Sequence, residues 1–243
     1  MTTLILFDVD GTLSESRKII KDEMVDCLRK IKEKKNITLG IVGGSNFEKQ
    51  VEQLKEENLN LFDYIFSENG LVAFYKGELF NKTSIRDKLG EENIKKLINT
   101  SLHYMSQIDI PVKRGNFIEF RNGMINLCPV GRSCTTEERE EFFKFDKKEK
   151  IRENMVKYLN NELSDLNLQY SIGGQISIDV FPLGWDKTYC LQFVKDKFND
   201  IYFFGDRTMK GGNDYEIYNH ELTKGYNVNE PNDTLKLLKN IFL

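Results

Sequence analysis

The sequence predicts an α/β core interrupted by an inserted α+β domain. Short apolar runs that end in acidic or small polar residues alternate with helical stripes near both ends of the chain. The middle instead alternates apolar and polar residues around an Asn-Gly turn, the pattern of an antiparallel sheet with one wet face. The β–α rhythm returns at Trp185, which assigns residues 1–81 and 186–243 to the core and 82–185 to the insert. The insert is expected to be an antiparallel sheet backed by helices.

The first apolar run, residues 4–7, is short and rich in strand formers, as expected of a strand buried on both faces. It ends in two carboxylates, Asp8 and Asp10, which share one face if the strand geometry persists. Gly11 then permits a sharp turn. A pair of acids at the carboxyl end of a buried parallel strand is costly without a cation or ligand, so this stretch reads as a reaction centre. Met24, Val25, Leu28 and Ile31 mark the first helical stripe, and residues 37–42 the second strand. Gly43-Gly44-Ser45 follows, with Ser45 expected to cap a helix that carries Phe47, Val51 and Leu54. That turn suits either an anion such as phosphate or an ordinary capped connection.

A short strand at 64–66 and a hairpin across Lys76-Gly77 complete the first core segment. A helix is expected from 91 to about 106. The clearest hairpin spans 117–127 and pairs Phe120 with Ile125, Glu119 with Asn126 and Ile118 with Leu127. Ile118, Phe120, Ile125 and Leu127 then need cover, while Glu119, Arg121, Met124 and Asn126 can face a wet groove. Thr135 and Glu138 fit a capping box that starts a turn containing Arg139, and a long helix is expected from about 147 to 166. A second hairpin-like pair, 168–172 with 175–181, puts Ser177 and Asp179 on its polar side. Beyond it, Lys187 opens a helix, residues 201–204 form a strand ending at Gly205-Asp206, and a glycine-rich turn carries Asn213 and Asp214. A last strand at 226–228 precedes a final helix expected to be capped by Asp233.

At 243 residues, 40% hydrophobic and 30% charged, the chain is long enough to bury a sizeable core. A net charge of −3 argues against nucleic-acid or membrane-surface binding by bulk charge. No apolar stretch approaches a membrane span and the N-terminus lacks a signal-peptide pattern, so a cytoplasmic protein is expected. Cys27, Cys128, Cys134 and Cys190 are dispersed and read as reduced structural thiols.

Acidic and small polar residues thus stand at the ends of three strands: Asp8 and Asp10, then Ser45, then Asp206 with Asp214. Their order resembles the haloacid dehalogenase superfamily of phosphoryl-transfer enzymes: D-x-D-G-T at 8–12, Ser45, Lys187, and G-D-x7-D at 205–214. The chemistry suits the residue types. A carboxylate is ionised at neutral pH and can attack phosphorus, and a hard dication offsets the approach of one anion to another. The resemblance implies a Rossmann-like core. It makes Asp8 the nucleophile and Asp10 the general acid/base. Mg²⁺ would be held by Asp8, Asp206 and the Asp10 carbonyl, with Asn213 and Asp214 behind it. Ser45 and Lys187 would hold the transferring phosphoryl oxygens.

Longer runs widen the resemblance to the eukaryotic-type phosphomannomutases over essentially the whole chain. They lie at 117–124, 131–134, 173–177, 179–182, 184–187 and 203–206. That likeness implies interconversion of mannose 1-phosphate and mannose 6-phosphate through an aspartyl-phosphate and a hexose 1,6-bisphosphate activator of glucose or mannose, feeding GDP-mannose synthesis. It assigns the sugar-phosphate grip to Arg17, Arg121, Arg132, Arg139, Ser177 and Asp179, and it implies a homodimer through the insert. Arginine forks suit a distal phosphate, being permanently charged and bidentate; on a merely exposed sheet, Arg121 would pair with Glu119. A second, structural cation site maps to Tyr218, His220 and Thr223. The family usually has Asp where this chain has His220, so a cation there would rest on backbone carbonyls. A sugar-phosphate phosphatase on the same scaffold is the nearest alternative, and a non-catalytic sugar-phosphate module a more distant one.

Overall fold

The computed structural model describes residues 2–243 and divides the chain into two compact units. Unit 1 comprises the chain up to Lys82 together with Trp185–Leu243, and unit 2 is Thr83–Gly184. Each boundary lies one residue further into the chain's middle than the sequence pattern placed it. Lys82 is still paired with Val72 in a strand ladder, and the Trp185 carbonyl accepts from Asn69 Nδ2 at 3.1 Å, so both residues stand with unit 1.

In chain order, unit 1 opens with β1 (Thr3–Phe7), α1 (Asp22–Lys32), β2 (Ile37–Val42), α2 (Phe47–Leu54), β3 (Tyr64–Ser67), β4 (Val72–Tyr75) and β5 (Glu78–Lys82). Unit 2 follows with α3 (Ile85–Gln107), β6 (Ile118–Phe120), β7 (Ile125–Leu127), α4 (Thr136–Glu149), α5 (Ile151–Glu162), β8 (Leu168–Gly173) and β9 (Ser177–Pro182). Unit 1 then resumes with a 3₁₀ helix (Lys187–Phe193), β10 (Asp200–Gly205), α6 (Tyr215–Tyr218), β11 (Thr223–Asn227) and α7 (Pro231–Phe242).

The unit 1 sheet has the order β11-β10-β1-β2-β3-β4-β5, parallel from β11 to β3 and antiparallel beyond. β1 lies at its heart, and the period of two splits its side chains between two cores. Ile5 and Phe7 pack with Met24, Leu28, Leu235 and Leu238, whereas Leu4 and Leu6 pack with Cys190, Leu191, Val194 and Ile217. Residues 4–7 are all fully buried, which explains their unbroken apolar run. Such a strand leaves polar groups only at its end, and that is where Asp8 stands.

Unit 2 carries a four-stranded antiparallel sheet, β6-β7-β9-β8. The β6–β7 register pairs Ile118 with Leu127, Glu119 with Asn126 and Phe120 with Ile125. Ile125 and Leu127 are fully buried, but Phe120 is 50% exposed because β6 is an edge strand. The expected cover is therefore missing over Phe120 among the described residues.

Local chemistry corrects four helix expectations. Asn46, not Ser45, caps α2, accepting from Lys49 N at 3.2 Å. The capping box at Thr135 and Glu138 opens the full helix α4, not a single turn. Its charged composition hides the periodicity. The long helix expected from about 147 is broken by a left-handed Lys150, so α5 begins at Ile151. Finally, α7 starts with Pro231 after Glu230, while Asp233 lies in its first turn and accepts from Asn229 N at 3.2 Å.

Candidate active site

Three strand ends of unit 1 converge on one cleft. A cavity of ≈ 330 Å³ is lined by Asp8, Asp10, Arg17, Gly43, Gly44, Ser45, Gln50, Gln53, Asp206, Arg207 and Asn213, among others. Asp8 continues β1 and is 5% exposed. Asp206 follows β10, the parallel neighbour of β1, and Ser45 follows β2 on the other side. With Asn46 capping α2, the half-buried Ser45 is released from that task and lines the cavity.

Lys187 is the buried cation behind the cleft. Asp186 starts its 3₁₀ helix by accepting from Thr188 N at 2.8 Å, which fixes where the lysine emerges. The ammonium is 1% exposed and donates to Asp8 Oδ1 and Asp214 Oδ1, leaving one of its three N–H groups. Burial alone would lower its pKa, but the two carboxylates outweigh that and raise it, so it stays charged. Asp214, wholly buried, also accepts from Arg207 N at 3.0 Å. It therefore orients the lysine and the Asp206–Arg207 turn together.

Carboxylate oxygens of Asp8, Asp206 and Asp214 all lie within 4.8 Å of one another. Burial, reinforced by Asp214 and Asp206, pushes Asp8 up to about 7 against the pull of Lys187. Burial, with Asp214, likewise raises Asp206. Asp206 Oδ1 is buried without a hydrogen-bond partner. Gly11, at φ +79°, closes the other wall: a Cβ there would stand 2.4 Å from Asp206 Oδ2. Hard oxygen donors, excess negative charge and an orphaned carboxylate oxygen together fit a small dication.

Asp10 is turned away from that cluster. Its Oδ1 accepts from Arg17 N and from Gln53 Nε2, each at 2.7 Å. Arg17 holds a left-handed backbone, φ 61°, that aims this N–H, and its exposed guanidinium lines the cleft.

Unit 2 gathers a second polar cluster on its sheet. Arg121 Nη2 and Arg132 Nε each reach Glu119 Oε2 at 2.9 Å. Arg132 Nη1 donates to Asn126 Oδ1 at 2.9 Å, and Asn126 Nδ2 donates to Asp179 Oδ1 at 2.6 Å. Arg121 does pair with Glu119, and the hydrogen bond from Arg121 leads the pull that holds the Glu119 carboxyl below its usual range. Ser177, on the adjoining strand, is buried. Its carbonyl is held at 3.1 Å by Arg152, a buried guanidinium that also grips Asp146 and the carbonyls of Gly173 and Gly174. Arg139 stands half-buried on the first turn of α4, outside this hydrogen-bonded cluster among the described residues.

Tyr218, His220 and Thr223 lie together at the α6–β11 turn. Thr223 Oγ1 donates to the carbonyls of Ile217 and His220, and His220 Nδ1 accepts from Leu222 N at 3.2 Å.

The sequence reading missed Gln50 and Gln53, which line the cleft; it placed Asn126 on the polar face of the hairpin, where the residue is buried and links Arg132 to Asp179. A signal for the glutamines existed. They sit three apart on the buried face of α2, where an amphipathic helix ordinarily places apolar residues.

A family model described as eukaryotic phosphomannomutase matches residues 24–243. The chain is 54% identical over 242 residues to Phosphomannomutase 2 of Dictyostelium discoideum, covering 99% of this chain and 96% of that protein. It is 53% identical over 240 residues to Phosphomannomutase of Glycine max, with the same coverage of both. Among solved structures, Plasmodium falciparum IMP-nucleotidase aligns with a TM-score of 0.63 at 17% identity, over 99% of this chain and 68% of that one. Aspergillus fumigatus trehalose-6-phosphate phosphatase aligns with a TM-score of 0.62 at 15% identity, over 98% of this chain and 93% of that one. The two structures show a shared haloacid dehalogenase fold. By the family model over residues 24–243 and its full-length identity to these relatives, the chain belongs to the eukaryotic phosphomannomutase family.

Proposed function

We propose that this chain interconverts mannose 1-phosphate and mannose 6-phosphate through a phosphorylated Asp8 and a hexose 1,6-bisphosphate, supplying GDP-mannose synthesis. The observation that carries the chemistry is the buried Asp8 carboxylate, hydrogen-bonded to Lys187 beside the unpartnered Asp206 oxygen. Asp8, Asp206 and the Asp10 carbonyl would hold Mg²⁺, with Asn213 and Asp214 behind them. When bound, the ion offsets negative charge between nucleophile and phosphoryl group. Lys187 and Ser45 bind phosphoryl oxygens, and Arg17 adds charge at the cleft. Asp10 gives a proton to the departing sugar oxygen and takes one from the accepting hydroxyl.

Arg121, Arg132, Arg139, Ser177 and Asp179 bind the sugar and its distal phosphate, so that the bisphosphate is retained between the two transfers. The convergence of the Arg121 and Arg132 guanidiniums supports this: although each pairs with Glu119, each carries five N–H donors, more than that one carboxylate takes. The names of the full-length relatives favour a mutase over a phosphatase. We also infer a cytoplasmic homodimer joined through unit 2, which the exposed Phe120 on an edge strand supports. At the α6–β11 turn, Tyr218, His220 and Thr223 would hold a structural cation through backbone oxygens.

³¹P NMR with mannose 1-phosphate, Mg²⁺ and trace glucose 1,6-bisphosphate tests the proposal. Mannose 6-phosphate is expected only with the activator. Release of inorganic phosphate in place of isomerisation would make the enzyme a phosphatase.

A further inference from the structure

α2 carries two buried amides on its inner face, and one of them reaches the reaction machinery. Gln53 is 2% exposed, and its Nε2 donates to Asp10 Oδ1 at 2.7 Å. Its backbone carbonyl accepts from Ile20 N at 2.8 Å. One residue therefore grips both ends of the segment that runs from Asp10 to Ile20. Arg17 N, inside that segment, adds the second hydrogen bond to the same Asp10 oxygen, also at 2.7 Å. Burying a primary amide is unfavourable unless it is paired, and a leucine would satisfy the helix face equally well. The amide earns its place through its partner.

We propose that Gln53 is the positioning residue for Asp10, holding Oδ1 so that Oδ2 alone exchanges the proton with the sugar oxygen. This rests on the reading of Asp10 as acid/base. Two N–H donors at Oδ1 fix the carboxyl plane and leave Oδ2 as the oxygen free to face the cleft. In the first transfer, an Asp8 oxygen forms a bond to phosphorus as the ester P–O bond breaks, and the Oδ2 proton passes to the leaving sugar oxygen. In the second, a sugar hydroxyl oxygen bonds to phosphorus, its proton returns to Oδ2, and the Asp8–phosphorus bond breaks. Both steps need the same oxygen in the same place, and small misplacements of a reacting group cost about 10²-fold in rate.

The test is Gln53→Met, which keeps an unbranched helix-forming side chain and removes the donor. For mannose 1-phosphate turnover, kcat is expected to fall by about 30-fold while KM stays within about threefold, since general acid–base catalysis supplies ~10²–10⁴. Beryllofluoride, an analogue of the phosphorylated Asp8 that needs no proton transfer, is expected to bind as tightly as in the wild type. Equal loss of kcat and of beryllofluoride binding would make Gln53 a merely structural residue and overturn the proposal. A kcat within about threefold of wild type would overturn it as well. Gln53→Ala, read in the same way, decides the matter if the methionine variant does not fold. Failure of the wild type itself to isomerise mannose 1-phosphate would instead strike the proposed function.

Discussion

Lys187 shows how strongly the site depends on single charges. Its ammonium is the only cation hydrogen-bonded to Asp8 and Asp214 among the described residues, and all three groups are buried. Removing one partner of a buried ion pair costs about 3–5 kcal/mol, because the other is left uncompensated. Lys187→Met is therefore expected to lower unfolding stability by roughly that amount in urea titrations with chelator present. Adding Asp8→Asn should recover part of the loss, a coupling that a double-mutant cycle reads directly. Strict additivity would show that the three groups do not act as a unit. Asp8, Asp10 and Asp206 were legible in the sequence, because charged residues at the ends of apolar strands contradict the cost of burial, whereas Lys187 and Asp214 were marked by the family resemblance. The partners of Gln53 and Asn126 were not legible. An uncharged amide reads alike on a solvated face and in a buried hydrogen bond, so their positions were marked but only the fold reveals what they hold.

Among the elements, the turn after β1 carries the tightest constraint. Gly11 combines φ +79° with a position where a Cβ would stand 2.4 Å from Asp206 Oδ2. Gly11→Ala is thus expected to cost about 1–3 kcal/mol of stability through backbone strain and to displace Asp206. Turnover should then fall further than stability alone accounts for. A thermal melt paired with an activity assay separates the two effects, and retained turnover would argue against the cradle. α4 offers a milder case: its Thr135–Glu138 capping box predicts a loss of about 1 kcal/mol for Thr135→Ala, measured by urea denaturation. Strands and turns were read well, since period two and the Asn-Gly turn leave clear marks. The β6–β7 register came out residue for residue. Helix ends were read less well. Choosing between Ser45 and Asn46, or seeing the left-handed break at Lys150, depends on backbone geometry that neighbouring residues do not spell out.

At the scale of the whole chain, unit 2 is inserted into unit 1 as one continuous segment. It has an apolar cluster of its own, in which Ile110, Cys128, Val130, Phe142 and Ile176 are buried together. A fragment of residues 83–184 is therefore expected to unfold cooperatively by circular dichroism, and a broad, featureless melt would count against its independence. The alternating pattern in the middle of the sequence announced that insertion, while the exposure of Phe120 became visible only with the strand order. The same topology orders events during synthesis on the ribosome. β1, which leads to Asp8, is made before unit 2, and its parallel neighbour β10 (Asp200–Gly205) only after it. The inserted segment can complete itself while β1 still waits for that partner. Asp8 is thus made well before Asp206 and Asp214, and a nascent chain halted before β10 lacks two of the three carboxylates that cluster in the cleft.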